Sequence, residues 1–248
     1  FNGLCELTFN DLVFYMINVL NDDAVPLKYL WRNYYEEFSA NLWFKMTRSE
    51  GYFLDVGAHT GIYSIIGNLD KINNQIISIE PYFLNFSRLL SNLKINNIDT
   101  SKCVLGAATN TVGLAKIHIK TNFDYHTSGG SISEEGNFSV SKIKIDNFKL
   151  NKKIKGMKID TEGHEFLVLD GAKKYLFQDR PNIIFEINEK SCDQCIELLS
   201  SYKYEFYFID EIKKKLLPIK KFDQSLIRPE GSNCYATTNN ELMNEYLV

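Results

Sequence analysis

The sequence predicts an α/β fold, namely a doubly wound, mainly parallel seven-stranded sheet with helices on both faces. From residue 51 onward, short apolar runs of strand length alternate with longer segments of helical periodicity, which is the pattern of successive βαβ units. A glycine-containing loop follows the first apolar run, and an acidic residue ends the second. Together these features are typical of doubly wound folds that bind a nucleotide-like ligand.

Each element of this core follows from its local pattern. Strands are predicted near residues 52–56, 75–80, 102–107, 155–160, 182–187, 204–209 and 233–238, and helices near residues 61–70, 82–96, 163–178 and 190–202. Residues 111–148 depart from the alternation, because two stretches of period two flank a segment rich in Gly and Ser. That pattern predicts a hairpin inserted between the third and fourth core strands.

Residues 1–50 precede the core and are rich in aromatic side chains. We interpret them as an N-terminal helical cap, with Thr8 or Asn10 capping a first helix and Pro26 opening a second. The predicted domains are therefore residues 1–50 and residues 51–248. The cap is expected either to cover an edge or face of the sheet or to act as a substrate lid or dimer surface, and a homodimer is left open.

Composition limits the function classes. The 248 residues carry a formal net charge of −3, which suits one domain with an appendage and disfavours nucleic acid as a partner. The lysine runs at 213–215 and 220–221 are interpreted as a solvated turn. No apolar run reaches the roughly 18 residues that a membrane span needs, and no secretory signal is visible. Because the chain begins at Phe1 rather than Met, we expect it to be a piece of a longer protein.

The cysteines indicate a reducing compartment. There are five, an odd number without a dense framework, so we expect free thiols and a cytoplasmic location. Cys192 and Cys195 form a C-x-x-C pair, but a zinc site would need two further ligands. We interpret them as two packed helical thiols. No metal site is predicted, although dependence on a divalent metal is left open.

The loop after the first core strand carries the main functional signal. Its pattern is D-x-G-x-x-x-G, with Ala58 and His59 at the positions where a dinucleotide fold needs a glycine to admit a pyrophosphate. A cofactor without phosphate suits such a loop, and S-adenosylmethionine (SAM) is one. The cofactor-binding residues predicted here are Asp55, Gly57, Ala58, His59, Thr60 and Gly61. Asp55 is available for the ammonium group of SAM.

The end of the second core strand supplies the rest of the predicted cofactor site. Glu80 is assigned to the ribose hydroxyls, because an acid at this place in doubly wound folds accepts their hydrogen bonds. Pro81 and Tyr82 are assigned to the wall beside the adenine. Ordinary packing of Tyr82 is an equally good interpretation.

Four stretches resemble the FkbM family of class I SAM-dependent methyltransferases. Residues 53–65 resemble its first motif, D-V-G-A-N-x-G-x-Y-S, with His59 in place of the common Asn. Residues 79–81 resemble its acidic second motif, and residues 145–148 resemble its T-L-D-D-L segment. Residues 157–172 resemble its most specific signature, K-x-D-x-E-G-x-E-x-x-x-L-x-G-A, with His164 in place of a small residue. The resemblance covers residues 51–190.

This resemblance implies a Rossmann-like methyltransferase sheet that binds SAM and transfers a methyl group to a hydroxyl oxygen. The implied acceptor is a carbohydrate, a glycolipid or another small hydroxylated natural product. Acceptors vary widely within the family, so the resemblance specifies the reaction much better than it specifies the acceptor.

Methyl transfer to a hydroxyl needs an aligned acceptor and a group that removes its proton. The predicted catalytic residues are Glu162, Asp160 and His164, which follow the fourth core strand, where open α/β sheets bind their ligands. Asp160 is assigned mainly to the cofactor's ammonium end or a cation, and Glu162 to the acceptor hydroxyl. Glu165 is interpreted as a helix N-terminal cap or ion-pair partner. Glu186 is expected to form a carboxylate pair with Asp160 or to bind Lys158.

Other functions were weighed against this one. A nucleic-acid methyltransferase would need a basic groove, a nicotinamide oxidoreductase would need G-x-G-x-x-G, and a degenerate fold serving as a binding module would not need its glycines and carboxylates intact. Asp124, Tyr125 and His126 of the inserted loop are interpreted as solvated rather than as a cover over the site.

Overall fold

The computed structural model describes residues 2–19, 22–32, 35–70, 74–118, 131–132, 136, 138–187, 191–221 and 231–239. The strands are β1 (Gly3–Phe9), β2 (Leu12–Asn18), β3 (Gly51–Val56), β4 (Asn74–Glu80), β5 (Cys103–Leu105), β6 (Ala107–Ala108), β7 (Gly113–His118), β8 (Ser131–Ile132), β9 (Phe138–Ile143), β10 (Ile154–Ile159), β11 (Asn182–Glu186), β12 (Glu205–Asp210), β13 (Lys215–Ile219) and β14 (Asn233–Thr237). The helices are α1 (Ala24–Arg32), α2 (Glu37–Met46), α3 (Ile62–Ile66), α4 (Phe83–Ile95), α5 (Glu165–Asp170), α6 (Lys173–Gln178) and α7 (Cys192–Ser201), with a 3₁₀ turn at Ile145–Asn147.

The central sheet has the strand order β13-β12-β14-β11-β10-β3-β4-β5. The strands β5, β4, β3, β10 and β11 pair in parallel, whereas β14 runs antiparallel to both β11 and β12 and β13 runs antiparallel to β12. All seven predicted core strands are present. The sheet is nevertheless mixed and has eight strands, so the predicted count of seven was wrong.

The chain order reverses between β3 and β10. From β3 the chain winds outward through β4 to β5, and it then returns to place β10 on the other side of β3. The loops that follow these two strands diverge to opposite faces of the sheet, which leaves a crevice outside their carboxyl ends. The fold therefore places its ligand-binding crevice at the end of β3, where the sequence carries its glycine loop.

Apolar residues of each central strand point alternately into two cores. On one face, Phe53 and Ile184 belong to a cluster that also contains residues of the N-terminal segment, α2, α3 and α4. On the other face, Leu54 and Phe185 belong to a cluster with α5, α6 and α7. Both faces of the sheet are thus covered, as expected when buried strands are mainly parallel.

The inserted segment forms a second, four-stranded sheet with the order β6-β9-β7-β8. Its central pair, β7 with β9, is antiparallel, which confirms the predicted hairpin. The segment predicted as a single helix over residues 163–178 is two helices, α5 and α6, which are separated at Gly171. A side chain at Gly171 would come within 2.1 Å of the Thr109 carbonyl oxygen, so the chain turns closely against the inserted segment there.

The N-terminal cap is only partly helical, so the helix predicted to start at Thr8 or Asn10 was wrong. β1 and β2 form an antiparallel hairpin, and Asn10 and Asp11 form its two-residue turn with φ angles of 47° and 64°. Two consecutive positive φ angles characterise the type I′ turn, which Asn and Asp tolerate. The segment that follows does form the helices α1 and α2, and Pro26 lies in the first turn of α1.

Two asparagines, Asn92 in α4 and Asn96 at its C-cap, complete the hydrogen bonding of β2. The Asn96 side chain accepts a bond from the Tyr15 N–H at 2.8 Å and donates one to the Tyr15 carbonyl at 2.7 Å. One turn earlier, Asn92 accepts a bond from the Ile17 N–H at 2.8 Å. The two amides take the place of a neighbouring strand, so they anchor the hairpin on the core.

The strand β13 lies at the edge of the sheet and was missed in the sequence. The lysines at 213–215 and 220–221 were interpreted as a solvated turn. Lys213 and Lys214 do lie exposed in the turn between β12 and β13, and Lys220 and Lys221 are exposed just after β13, whereas Lys215 begins the strand. Lysine and proline, here Pro218, are common on edge strands, since both disfavour pairing with a further strand.

The cysteines occur in the form that the sequence predicted. All five cysteines are free thiols, and Cys192 and Cys195 are buried on α7, which confirms the interpretation as packed helical thiols.

Within the described ranges, no helix combines the length and the hydropathy that crossing a membrane would require.

Asn96→Ala should destabilise the protein. The change leaves the N–H and the carbonyl of Tyr15 without these partners, which should lower the free energy of unfolding by about 1–3 kcal/mol. Chemical denaturation would measure the loss. Lys94→Ala is the matched control, because Lys94 is an exposed residue of the same helix. Equal stability of the two variants would show that the amide ladder does not anchor the hairpin.

Candidate active site

A cavity of about 240 Å³ opens at the carboxyl ends of β3, β4 and β10. Three parts of the chain form its walls: the loop after β3, the ends of β4 and β10 with their following turns, and residues 23–35 of the N-terminal segment. Of the predicted site residues, the cavity is lined by Asp55, Gly57, Ala58, His59, Glu80, Pro81, Tyr82, Asp160, Glu162 and His164. The structure therefore brings together residues that are more than 100 positions apart in the sequence.

Gly57 begins the loop after β3 and allows it to pass β10. Its φ is +78°, and a Cβ at this position would come within 1.8 Å of the Asp160 carbonyl oxygen. The N–H groups of Gly57 and Ala58 both donate to the Ile79 carbonyl, at 2.9 and 3.0 Å. Only glycine fits between these strand ends, so this residue fixes the geometry of the crevice.

Glu80 is a buried carboxylate at the end of β4. Its Oε2 accepts a hydrogen bond from the His59 N–H at 2.9 Å, and its Oε1 accepts one from the Tyr82 N–H at 2.9 Å. Burial raises the pKa of Glu80, while His59 and these backbone bonds act in the opposite direction. Each carboxylate oxygen retains acceptor capacity beyond one bond, and the residue lines the cavity.

Asp55 ends β3 almost fully buried, with 2% of its surface exposed. Its Oδ2 accepts a bond from the Ser64 hydroxyl at 2.5 Å, and Ser64 in turn contacts the Ser78 hydroxyl at 2.6 Å. Burial raises the pKa of Asp55 to about 6, against the lowering effects of Ser64 and Lys158. One oxygen of the Asp55 carboxylate is therefore used to hold Ser64 at the junction of β3 and α3.

Thr60 and Gly61 support the loop from behind and do not line the cavity. The Thr60 hydroxyl donates to Asp23 at 2.5 Å, and the Thr60 carbonyl accepts a bond from Asn92 at 2.8 Å. Gly61 has a φ of +102°, and a Cβ there would come within 2.6 Å of Leu89 on α4. These two residues join the loop to its neighbours, whereas Ala58 and His59 face the cavity.

His59 has a φ of 51° and lies beside Glu80. Its Nδ1 is 3.3 Å from the Thr60 hydroxyl. Its Nε2 is buried and has no hydrogen-bond partner within the described part of the chain. Asn also tolerates positive φ, which explains why the family's common Asn and this His suit the same backbone position.

Asp160 and Lys158 form an ion pair at the end of β10. The Lys158 Nζ lies 3.0 Å from Asp160 Oδ2 and 3.2 Å from the Asn233 Oδ1, with 1% of the lysine side chain exposed against 33% for Asp160. Burial by itself lowers the pKa of Lys158. The charges of Asp160 and Glu36 outweigh this effect and raise the pKa above its ordinary value, so Lys158 remains charged. The ion pair fixes one oxygen of Asp160 and lets the carboxylate face the cavity.

The turn after β10 carries Glu162 and His164. Glu162 is exposed with a φ of 55°, and the His164 Nδ1 lies 3.4 Å from the Thr161 carbonyl oxygen. Glu165 is fully buried, and its Oε1 accepts bonds from the N–H groups of Thr161 and Gly163 at 3.0 and 3.1 Å. Glu165 therefore fixes the turn before α5, which carries Glu162 and His164. It was expected to cap the helix or to form an ion pair, but the N-cap residue of α5 is His164 and the bonds of Glu165 go to the preceding turn.

Glu186 ends β11 beside Asp160. The register pairs Ile159 with Phe185, so the next residues of the two strands, Asp160 and Glu186, are neighbours. Burial raises the pKa of Glu186 to about 9, and the charges of Asp160 and Glu162 add to this effect. Glu186 is thus protonated at neutral pH. Among the described residues, no group of three or more His, Cys, Asp or Glu is arranged to hold a metal ion.

The lining residues of the N-terminal wall were not predicted from the sequence, although a substrate lid was one interpretation of residues 1–50. Asp23, Lys28 and Tyr35 line the cavity, and Asp23 also accepts a bond from the Val25 N–H at 2.9 Å. The Lys28 Nζ lies 4.9 Å from the centre of the Tyr35 ring. An Asp just before a helix start is an N-cap signal, but only the fold shows that this cap faces the cavity.

The remaining wall is apolar. Pro81 and Tyr82 line it as predicted, together with Ala107, Ala108 and Ile117 of the inserted segment. The Tyr82 ring also packs against Phe83 and Phe138, with centroid distances of 5.3 and 5.8 Å. Asp124, Tyr125 and His126 lie outside the described residues.

The fold is a Rossmann-like α/β domain with a cavity at its switch point. The family model described as "Methyltransferase FkbM domain" matches residues 55–206. This match covers more than half of the chain, so the chain belongs to the FkbM methyltransferase family. The sequence has no significant match among curated proteins.

Similar solved structures have low sequence identity to this chain and TM-scores just under 0.5. An FkbM methyltransferase from Methylobacillus flagellatus KT is 17% identical, with a TM-score of 0.49 over 76% of this chain and 43% of that chain. The present chain therefore spans under half of that protein. TYW2 from M. jannaschii in complex with AdoMet is 14% identical, with a TM-score of 0.47 over 95% and 85% of the two chains. A SAM-dependent O-methyltransferase from Thermotoga maritima is 9% identical, with a TM-score of 0.46 over 91% and 73%.

Asp55→Asn should change how stability depends on pH. Because the pKa of Asp55 is about 6 in the folded protein and about 3.9 in an unfolded chain, the folded state binds the proton more tightly. The resulting stabilisation is complete below about pH 4 and is lost as the pH rises through about 6. Relative to Asp55→Asn, the wild-type free energy of unfolding should therefore fall by up to about 3 kcal/mol between about pH 4 and pH 7.

Denaturation at a series of pH values would measure this difference. Asp99→Asn is the control, because hydrogen bonds from Ser101 lower the pKa of Asp99, so that its replacement should not reproduce the trend. A constant difference between the wild type and Asp55→Asn would show that Asp55 does not titrate in this range.

Proposed function

We propose that this protein is a SAM-dependent O-methyltransferase that acts on a hydroxyl of a carbohydrate, a glycolipid or another small natural-product acceptor. Membership of the FkbM methyltransferase family supports methyl transfer. The observation that carries the proposal is Glu80, a buried carboxylate that faces the cavity at the switch point and is oriented by two backbone N–H groups. A ribose diol is the ligand group that such a carboxylate recognises.

The contacts proposed for the adenine and for a ribose hydroxyl come from other residues that line the cavity. The apolar wall of Pro81, Tyr82, Ala107 and Ala108 suits the adenine. The Nε2 of His59 is available to a ribose hydroxyl. When SAM is bound, its sulfonium supplies an activated methyl group.

The amino-acid end of SAM is proposed to lie between the β3 loop and β10. Asp160 is the more suitable partner for its ammonium group, because Asp160 faces the cavity while Lys158 holds one of its oxygens. Asp55 remains a predicted second partner, although one of its oxygens is engaged by Ser64.

Proton removal from the acceptor is assigned to Glu162. Glu162 follows Asp160 on the same turn and lines the cavity, and Glu165 fixes that turn from inside. Asp160 is a weaker candidate for the base, since one of its oxygens is already held by the buried Lys158. His164 is the next candidate, because it lines the same wall. A cytoplasmic location and a homodimer remain predictions.

Wild-type protein should bind SAM, and Glu80→Ala should weaken that binding by roughly 10- to 150-fold. The loss corresponds to a hydrogen bond with a charged group, worth about 1.5–3 kcal/mol. Calorimetry with SAM, S-adenosylhomocysteine and NAD would measure it, with thermal unfolding to confirm that the variant is folded. Glu50→Ala is the control, because Glu50 is exposed and its side chain binds Lys152 at 2.6 Å. Binding of NAD without SAM would contradict the proposed function.

Glu162→Gln should lower turnover about 10²- to 10⁴-fold, because the amide preserves the shape of the side chain and cannot accept the proton. SAM affinity should change little. Release of S-adenosylhomocysteine with methyl glycosides as acceptors would give the rate, and Glu197→Gln on α7 is the control. Full turnover of the variant would assign proton removal to His164. Loss of wild-type activity in EDTA would instead favour a metal shared by Asp160 and Glu186.

A further inference from the structure

The cavity is completed by residues outside the part of the chain that matches the family. The match spans residues 55–206, whereas Asp23, Lys28 and Tyr35 belong to the N-terminal segment and line the same cavity. The cavity is also lined by Asp160, Glu162 and His164 of the turn after β10. If the proposed function holds, the space between the two walls receives the acceptor, so the N-terminal wall contributes to acceptor recognition.

Tyr35 is the most informative residue of that wall. Tyr35 lines the cavity, and the charge of Glu36, burial and the charge of Asp160 raise the pKa of its phenol well above the ordinary value. The hydroxyl group is therefore protonated and can donate a hydrogen bond.

Tyr35 is also held in place. The Lys28 ammonium lies over its ring, a cation–π contact that helps to fix an aromatic side chain. Asp23, which caps α1, is bound to Thr60 of the cofactor loop at 2.5 Å. The wall that carries Tyr35 is therefore linked to the cofactor loop, which suits a residue that must align one substrate with another.

The chemistry of methyl transfer restricts what Tyr35 can bind. The acceptor oxygen that attacks the methyl group must lose its proton to a base and keep a lone pair free. A protonated phenol that donated a hydrogen bond to this same oxygen would make it a weaker nucleophile. Tyr35 is therefore suited to a different oxygen of the acceptor, near the one that reacts.

We propose that the hydroxyl of Tyr35 binds a second hydroxyl of the acceptor, while Glu162 in the turn after β10 binds the hydroxyl that is methylated. The acceptor is then a polyol in which two oxygens are presented together, as in a sugar ring, rather than a monohydroxyl compound. Methyl transfer forms the bond between the acceptor oxygen and the methyl carbon and breaks the bond between that carbon and sulfur, and the hydroxyl proton passes to Glu162. Tyr35 takes no part in this exchange and serves as a positioning and specificity-determining residue.

The test compares a polyol with a monohydroxyl ring of similar size. Methyl glucoside, methyl mannoside and methyl galactoside are the polyol probes, and cyclohexanol is the monohydroxyl probe, each with saturating SAM. Release of S-adenosylhomocysteine gives KM and kcat. We expect at least one glycoside to be methylated with a kcat/KM more than 10-fold above that of cyclohexanol. Tyr35→Phe should raise the KM for that glycoside roughly 2- to 10-fold, the effect of one neutral hydrogen bond, without changing the rate with cyclohexanol.

Tyr52→Phe is the matched control, because Tyr52 is remote from the cavity and its hydroxyl donates to Asn151 at 3.0 Å. Calorimetry should show that both variants bind SAM as the wild type does. An unchanged glycoside KM in Tyr35→Phe, or a loss confined to SAM affinity, would overturn the role of Tyr35. Wild-type protein that binds SAM but does not prefer any of the glycosides over cyclohexanol would overturn the polyol assignment. Failure of the proposed function itself is distinguishable, because the wild-type protein would then not bind SAM.

Discussion

The close approach of the β3 loop to the end of β10 is the constraint on which the rest of the site depends. Gly57 lies against the Asp160 carbonyl with no room for a Cβ, and the Asp160 N–H donates to the Val56 carbonyl at 2.9 Å. This contact joins the two halves of the doubly wound sheet at their switch point. It also sets the distance between the loop that is proposed to hold the cofactor and the turn that is proposed to activate the acceptor.

A buried positive charge stabilises the carboxylates that surround this contact. The carboxylates of Asp160, Glu36, Glu186 and Asp55 all interact electrostatically with Lys158, and Asp160 forms an ion pair with it. Isolated carboxylates would be costly to bury, and burial accordingly raises the pKa of Glu186. Lys158 also lies 5.0 Å from the ring centre of Tyr63. The positive charge of Lys158 therefore stabilises a cluster of carboxylates that are largely removed from solvent.

The parts of the fold and site that depend on local sequence pattern were predicted correctly. The parts that depend on contacts between distant segments of the chain were not. The buried strands and the position of Glu80 follow from apolar runs and their ends. The N-terminal hairpin was missed because its aromatic residues suit a helix as well as a strand, and the turn at Asn10 and Asp11 was interpreted as a helix cap. Lys28 and Tyr35 carry no local signal of function, since only the tertiary fold brings them to a cavity formed by residues far along the chain.

A continuous polar path connects the N-terminal segment to the proposed catalytic turn. Glu211 accepts bonds from the N–H groups of Phe38 and Ser39 at the start of α2, at 2.8 and 2.9 Å, and Ser39 accepts one from Asn233 at 3.3 Å. Asn233 in turn accepts a bond from Lys158, which holds Asp160. Because each step is a direct hydrogen bond and most of these groups are buried, the start of α2 and the turn after β10 are fixed relative to each other. Such preorganisation is what the transfer of a small group between two bound molecules requires.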